Sequence, residues 1–159
     1  MLNPIDLTEY IIRPVLKELA TWRSGFHSEA AENLMLWTAM TESNLEYLHQ
    51  LRGPAIGLWQ VEPATHEATW HYISRYPEFA SLVRSFSCEK YTMPEAEEMH
   101  GNLYYNCAIA RIKYWTIPKP LPHFLDTAAM ADYWGRFYNT KNLDHDKQRF
   151  VDLANLTLT

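Results

Sequence analysis

Glycine and cysteine are scarce in this chain of 159 residues, with 5 and 2 respectively. Two cysteines, Cys88 and Cys107, are too few for a disulfide scaffold and stand in no metal-ligand spacing; both are expected reduced, with a single bridge between them left open. No glycine-rich loop is present to cradle a phosphate, and no serine or cysteine sits in a nucleophile-elbow context, so nucleotide and acyl-transfer chemistry fall away. No apolar run approaches the roughly 18 residues of a membrane span, and the start from Met1 to Asp6 lacks the basic and then apolar regions of a signal peptide. Positive charge is also short: the net charge of −5 disfavours non-specific binding to nucleic acid. Partners are expected to be recognised by shape and hydrogen bonds.

What is present is the composition of one packed globule, 47% apolar and 21% charged, a length that suits one core rather than two. A single domain over residues 1–159 is expected, and a monomer. The long segments carry helical rather than alternating apolar spacing, which predicts a mostly α fold. A first helix is expected from about Leu7 to Trp22, capped by Asp6 or Thr8, with Pro14 kinking it or shifting its start. A second runs from near Ser28 to about Tyr47. The stretch from His49 to Gln60 reads as an irregular loop or a short hairpin, after which Pro63 opens a helix that a turn near Pro77 ends. Thr92 and Glu95 have the spacing of a capping box and predict a long, central, most buried helix reaching Trp115. Residues 117–122 alternate three prolines and form a stiff internal connector. Two more helices, about Asp126 to Tyr138 and Asp144 to Leu156, are separated by the polar turn Asn139 to Asn142.

One position breaks the pattern. On the second helix Ala31, Leu34, Met35, Thr38 and Glu42 share a face, so a carboxylate falls on an apolar stripe. Such a carboxylate must be paired, hydrogen-bonded or kept protonated. Two readings stand: Glu42 pairs with Arg52 or another cation at the helix end, or its raised pKa makes it a general acid.

The residues that follow give Glu42 a context. Glu42 and Ser43 are followed, after thirteen residues, by Gly57, Leu58, Trp59, Gln60, Val61, Glu62, Pro63, Ala64 and Thr65. This arrangement resembles the catalytic domain of the soluble-type lytic transglycosylases, relatives of goose-type lysozyme, in which a Glu-Ser pair precedes Gly-Leu-Met-Gln at this interval. Trp59 stands where the family has methionine. Asn106 with Ala110 resembles the family's Asn-x-x-x-Gly, with the following tyrosine one place late at Tyr114. Phe137, Tyr138, Asn139 and Thr140 retain the Tyr-Asn pair of its last motif. The four pieces extend from about Leu34 to Lys141.

The resemblance implies a lysozyme-like helical fold with a groove for the glycan strand of peptidoglycan. It implies Glu42 as catalytic acid and then base, closing a 1,6-anhydro ring on muramic acid with help from the substrate's own N-acetyl group. Ser43 would fix the Glu42 carboxyl, Gly57 would let backbone approach the ligand, and Trp59 would stack on a sugar ring. Gln60, Asn106, Tyr138 and Asn139 would bind substrate. No metal or organic cofactor is implied. Glu62 resembles the aspartate that goose-type lysozymes carry two residues after the motif glutamine, and would position a water for hydrolysis; otherwise it is an acidic residue favourably placed at a helix N-terminus. A non-catalytic glycan-binding or virion module, and chitin-type substrates, are the remaining alternatives. Without a signal peptide, the expected setting is a phage lysin or virion protein acting on the wall, or a protein delivered by a secretion machine.

Two other features are weighed against their ordinary roles. His66 and His71 stand near a glutamate as in a zinc-protease helix, but five residues apart they diverge by about 140° around the axis and cannot share a metal. Among the aromatics, Trp37, Trp70 and Trp115 lie in helical patterns and are expected in the core; Trp59, Trp134 and Tyr138 are groove candidates, since an indole or phenol can stack on a pyranose.

Overall fold

An asparagine opens the first helix. In the computed structural model, which describes residues 1–139 and 144–159, the Asn3 side chain accepts hydrogen bonds from the amides of Ile5 and Asp6 ahead of α1, Pro4–Leu7. The cap therefore lies before Asp6 and Thr8, because the Asn3 carbonyl satisfies two amides that would otherwise be orphaned. The backbone continues through a π-helical stretch, Thr8–Ile12, into α2, Arg13–Ala20. In a regular helix the Pro14 ring would collide with the carbonyl of Tyr10; the wider turn, in which the Arg13 amide reaches the Thr8 carbonyl, accommodates it. Arg13 and His27 both grip Glu32, at 2.9 and 2.6 Å, tying α2 to the start of the next helix.

That helix, α3, spans Glu29–Ser43, with the Ser28 hydroxyl accepting from the Ala31 amide at 3.0 Å. It stops short of Tyr47 because Asn44 and Leu45 both take left-handed backbone, φ 55° and 54°. The chain then crosses a loop whose only pairings are two isolated bridges, His49 to Ile56 and Ile56 to Val61. Of the two expectations the irregular loop holds, with the hairpin reduced to single residue pairs; among the described residues no sheet forms.

Pro63 starts α4, Pro63–Ile73, as expected. Pro77 does more than end it: α5, Pro77–Arg84, begins there, a helix absent from the sequence expectation, with proline again at the first position where its missing N–H costs nothing. The expected capping box at Thr92 does not form. The Thr92 hydroxyl donates to Glu89 instead, a short 3-10 turn occupies Ala96–His100, and α6, Leu103–Trp115, is capped by Asn102, whose side chain accepts from the Tyr105 amide. Extended backbone at Glu95, ψ 144°, and at Asn102, ψ 92°, breaks twice the segment that spacing alone reads as continuous.

Residues 117–122 carry no helix and lead to α7, Thr127–Phe137, capped by Asp126. The last helix, α8, is Asp144–Thr157. Of the expected polar turn, Asn139 is described while Thr140, Lys141 and Asn142 lie outside the described residues.

The product is a mostly helical single domain built on one core. α3 and α6 supply its centre, each with a run of consecutive buried residues, 34–41 and 105–112. Helix α8 packs on α3 and α7. No helix among the described residues is long and apolar enough to cross a membrane.

Candidate active site

The C-terminal end of α3 carries Glu42 to the floor of a cleft of about 530 Å³. The loop after α3, the first residues around α4, Lys113 of α6, the end of α7 and Arg149 of α8 form its walls. Its position follows from local structure. Asn44 ends the helix one turn after the buried stripe, so Glu42 is on the last inward-facing turn and looks into open space.

The indole N–H of Trp134 on α7 donates to Glu42 Oε1 at 3.0 Å. Burial nevertheless dominates and raises the Glu42 pKa from its ordinary value to about 7. The indole hydrogen bond and the positive charges of Lys113 and Arg149 pull it down, while Asp146 pushes it up. A carboxyl poised there exists in both protonation states near neutrality and can give up a proton and take one back. Among the described residues no cation forms an ion pair with Glu42; Arg52, the partner considered from sequence, is not among the charges that act on it.

Lys113 is a residue that motif reasoning missed. Its signal was helical spacing: it follows Asn106 by seven residues, two turns along α6 on the same stripe. Its ammonium donates to the Tyr138 carbonyl at 3.1 Å and stands 3.8 Å from the centre of the Tyr138 ring. Burial lowers its pKa, while Glu42 and Glu62 raise it. Arg149, also missed, holds the C-terminal end of α3 by donating to the Thr41 carbonyl. It lies in no motif, and nothing in the sequence singled it out.

The expected substrate residues divide into two groups. Gln60, Glu62 and Asn139 line the cleft with Glu42, the Gln60 Nε2 donating to the Gly57 carbonyl at 2.9 Å. Ser43 and Tyr138 also line it, but their hydroxyls are engaged elsewhere. Ser43 donates to the Ala39 carbonyl at 3.0 Å rather than to Glu42, and Tyr138 donates to the Trp59 carbonyl at 2.5 Å. Ser43 therefore does not fix the Glu42 carboxyl; Trp134 does.

Three expected contacts are corrected outright. Trp59 is fully buried, with its indole N–H donating to the Met35 carbonyl at 2.9 Å, so it cannot stack on a sugar. Asn106 is fully buried, and its Oδ1 accepts from the Trp59 amide. Gly57 lies under it with φ +82°, where an added Cβ would stand 2.2 Å from Asn106 Oδ1. The glycine admits Asn106, not a ligand. The second motif is thus a tight turn, Ile56 and Val61 exchanging amide and carbonyl bonds, clamped from below so that Gln60 alone faces the cleft.

Glu62 is exposed at the N-cap of α4 and makes no side-chain cap bond, which leaves its carboxylate free to face the cleft. Trp134 is almost fully buried and serves Glu42 from behind rather than offering a face to ligand. Trp37 and Trp70 are core residues as expected, and Trp115 stacks on Phe26 at 4.0 Å. His66 is buried against the Tyr105 hydroxyl at 2.6 Å, while His71 is exposed. No cluster of three metal-ligating side chains occurs among the described residues. Cys107 is buried and Cys88 exposed, both as free thiols.

Against known proteins, the chain matches no family model, no curated protein and no solved structure.

Proposed function

We propose that this protein cleaves the glycan strand of peptidoglycan between N-acetylmuramic acid and N-acetylglucosamine, as a lytic transglycosylase with Glu42 as acid and then base. The observation that carries the proposal is the Glu42 carboxyl itself: desolvated, raised to about 7, held by one indole and open to a cleft of about 530 Å³. Glycoside cleavage needs a proton on the leaving oxygen while positive charge develops at the sugar ring, and a protonated carboxyl at neutral pH supplies it. In the second half of the reaction the carboxylate takes the proton of the muramic acid 6-hydroxyl as the anhydro ring closes. Gln60 and Asn139, which line the cleft, bring amide side chains that match acetamido and hydroxyl groups. The lysozyme-like arrangement, a monomeric state and action on the wall as a phage lysin, virion component or secreted effector belong to the same proposal.

One observation favours a second outcome at the same site. Glu62 shares the cleft with Glu42 and its carboxylate is uncapped, which suits a base that activates water for hydrolysis.

Mass spectrometry of muropeptides released from purified peptidoglycan tests both. Products lighter by one water than reducing-end sugars are expected from wild type and absent with Glu42→Gln. Reducing ends alone would replace ring closure by hydrolysis, and Glu62→Gln would then abolish them. Glycan binding by folded wild type with no release of products would reduce the protein to a binding module.

A further inference from the structure

A second cavity, of about 320 Å³, shares no lining residue with the cleft. Its floor holds Arg111 of α6, which is 3% exposed and forms no ion pair among the described residues. A buried guanidinium is ordinarily matched by a carboxylate, because an uncompensated charge is costly to desolvate. Here the acceptors among the described residues are two backbone carbonyls. Nε donates to Phe26 at 3.0 Å and Nη2 to Gly25 at 3.2 Å, both in the 3-10 turn Ser24–Phe26.

Those two bonds use one edge of the guanidinium fork. The other edge, formed by Nη1 and the second N–H of Nη2, donates to no protein atom among the described residues. A planar fork with a vacant edge matches the two oxygens of a carboxylate. The walls narrow the choice of ligand. Tyr114, Trp115 and Tyr133 present aromatic surface, and the proline-rich segment contributes Ile117 and Leu121 from stiff backbone. The Tyr133 hydroxyl is turned aside to the Lys119 carbonyl, and the Tyr114 hydroxyl meets Thr38, so neither competes for the anion. Lys119 adds a second positive charge at the exposed rim.

We infer that this cavity is a binding site for a small carboxylate with an apolar body, its carboxylate on the free edge of Arg111 and its body against Tyr114, Tyr133 and Leu121. The inference does not depend on the glycan-cleaving proposal, because the two sites have separate walls. It gives the alternating prolines a role beyond connection, as the fixed side of a pocket. Arg111 retains its charge at neutral pH, although burial lowers its pKa to about 10.

Isothermal titration of the full chain at constant ionic strength tests the site, with benzoate as probe and benzamide and inorganic phosphate as controls. Saturable benzoate binding is expected, at least tenfold tighter than either control, and lost in Arg111→Gln. Because Arg111 also anchors the Ser24–Phe26 turn, that variant can fail to fold. Two further variants keep Arg111: Lys119→Glu, which puts repulsion at the exposed rim, and Leu121→Trp, which fills the wall. Each is expected to weaken benzoate binding at least fivefold while the folded circular-dichroism spectrum is unchanged. The inference is overturned if folded wild type binds no benzoate, if phosphate or benzamide binds equally well, or if neither Lys119→Glu nor Leu121→Trp alters binding.

Discussion

Trp134 Nε1 donates to Glu42 Oε1 at 3.0 Å across 92 residues of chain, joining the end of α3 to α7. The indole serves two ends: its ring packs against Phe150 at 5.4 Å, and its N–H favours the ionised carboxyl. Replacing Trp134 by Phe keeps an aromatic ring and deletes the donor. With the hydrogen bond gone the Glu42 pKa is expected to rise above about 7, because that bond stabilises the charged form. The alkaline limb of the pH–rate profile should move upward, with a stability loss of about 1–2 kcal/mol from the bond and the vacated volume. An unmoved limb in a folded, active variant would contradict this role.

Glu42→Gln separates catalysis from stability. Folded Glu42 holds its proton up to about 7 against an ordinary value of 4.5, so folding takes up a proton between those limits and stability declines as pH rises across them. The amide carries no charge to desolvate. Relative to wild type it is expected to be more stable at pH 8 by about 3 kcal/mol, with the difference vanishing below about pH 4.5. Glycan cleavage should fall by about 10²- to 10⁴-fold. Urea unfolding at the two pH values reads the first, and muropeptide release the second. A variant less stable than wild type at pH 8 would mean that Glu42 is not desolvated.

Lys113 acts on the same carboxyl through charge alone. Lys113→Met removes a positive neighbour that lowers the Glu42 pKa, so the alkaline limb is again expected to move to higher pH. The two substitutions should differ in salt dependence. The shift caused by Lys113→Met shrinks as ionic strength screens the lysine in wild type, whereas the hydrogen-bond contribution of Trp134 stays. Equal salt dependence in both would assign the lysine a packing role only.

Glu42 was legible because ionisable groups on apolar helical stripes are rare, and three residues of spacing suffice to reveal one. The helices built on regular spacing, α3, α7 and α8, were legible for the same reason. Trp59 and Gly57 were misplaced because a motif states which residues recur, not which way each faces: a turn two bridges long put the indole inward and set the glycine beneath Asn106. The long helix expected from Thr92 failed at Glu95 and Asn102, both in extended backbone, and Asn102 is itself a cap that starts α6 anew, a signal the spacing at Thr92 did not weigh. Lys113 was signalled only by its spacing from Asn106 along α6, and Arg149 reaches the cleft from α8 through tertiary packing that no spacing announces.

Gly57→Ala tests the buried clamp. The added methyl would meet Asn106 Oδ1 at 2.2 Å, and φ +82° is strained for alanine whatever the space. A loss on the order of 3 kcal/mol is expected. Asn106→Ala removes the clash and with it the buried Nδ2, which has no hydrogen-bond partner among the described residues. The double variant should therefore lose less than the sum of the two, recovering about 1–2 kcal/mol, since only the backbone strain remains. Additive losses in a complete mutant cycle would show that Asn106 is not what meets the methyl.

His66 gives the acid side of the stability curve its own cause. The Tyr105 hydroxyl accepts from Trp70 Nε1 at 2.6 Å, so its single proton is directed to His66 Nε2, also at 2.6 Å, and that nitrogen serves as acceptor. Only neutral imidazole offers an acceptor there. Burial pushes the His66 pKa down from 6.5 to about 4, against a smaller upward pull from Glu97. The unfolded chain therefore binds the proton first as pH falls. The stability His66 contributes is complete above about 6.5 and is lost between there and about 4, a span worth about 3 kcal/mol. His66→Gln keeps an acceptor for Tyr105 without the titration. Its urea midpoint should lie below that of wild type at pH 7 by the cost of an imperfect fit, about 1–2 kcal/mol, and the gap should close or reverse by pH 4. A gap that stays constant across this range would mean that burial does not depress the His66 pKa.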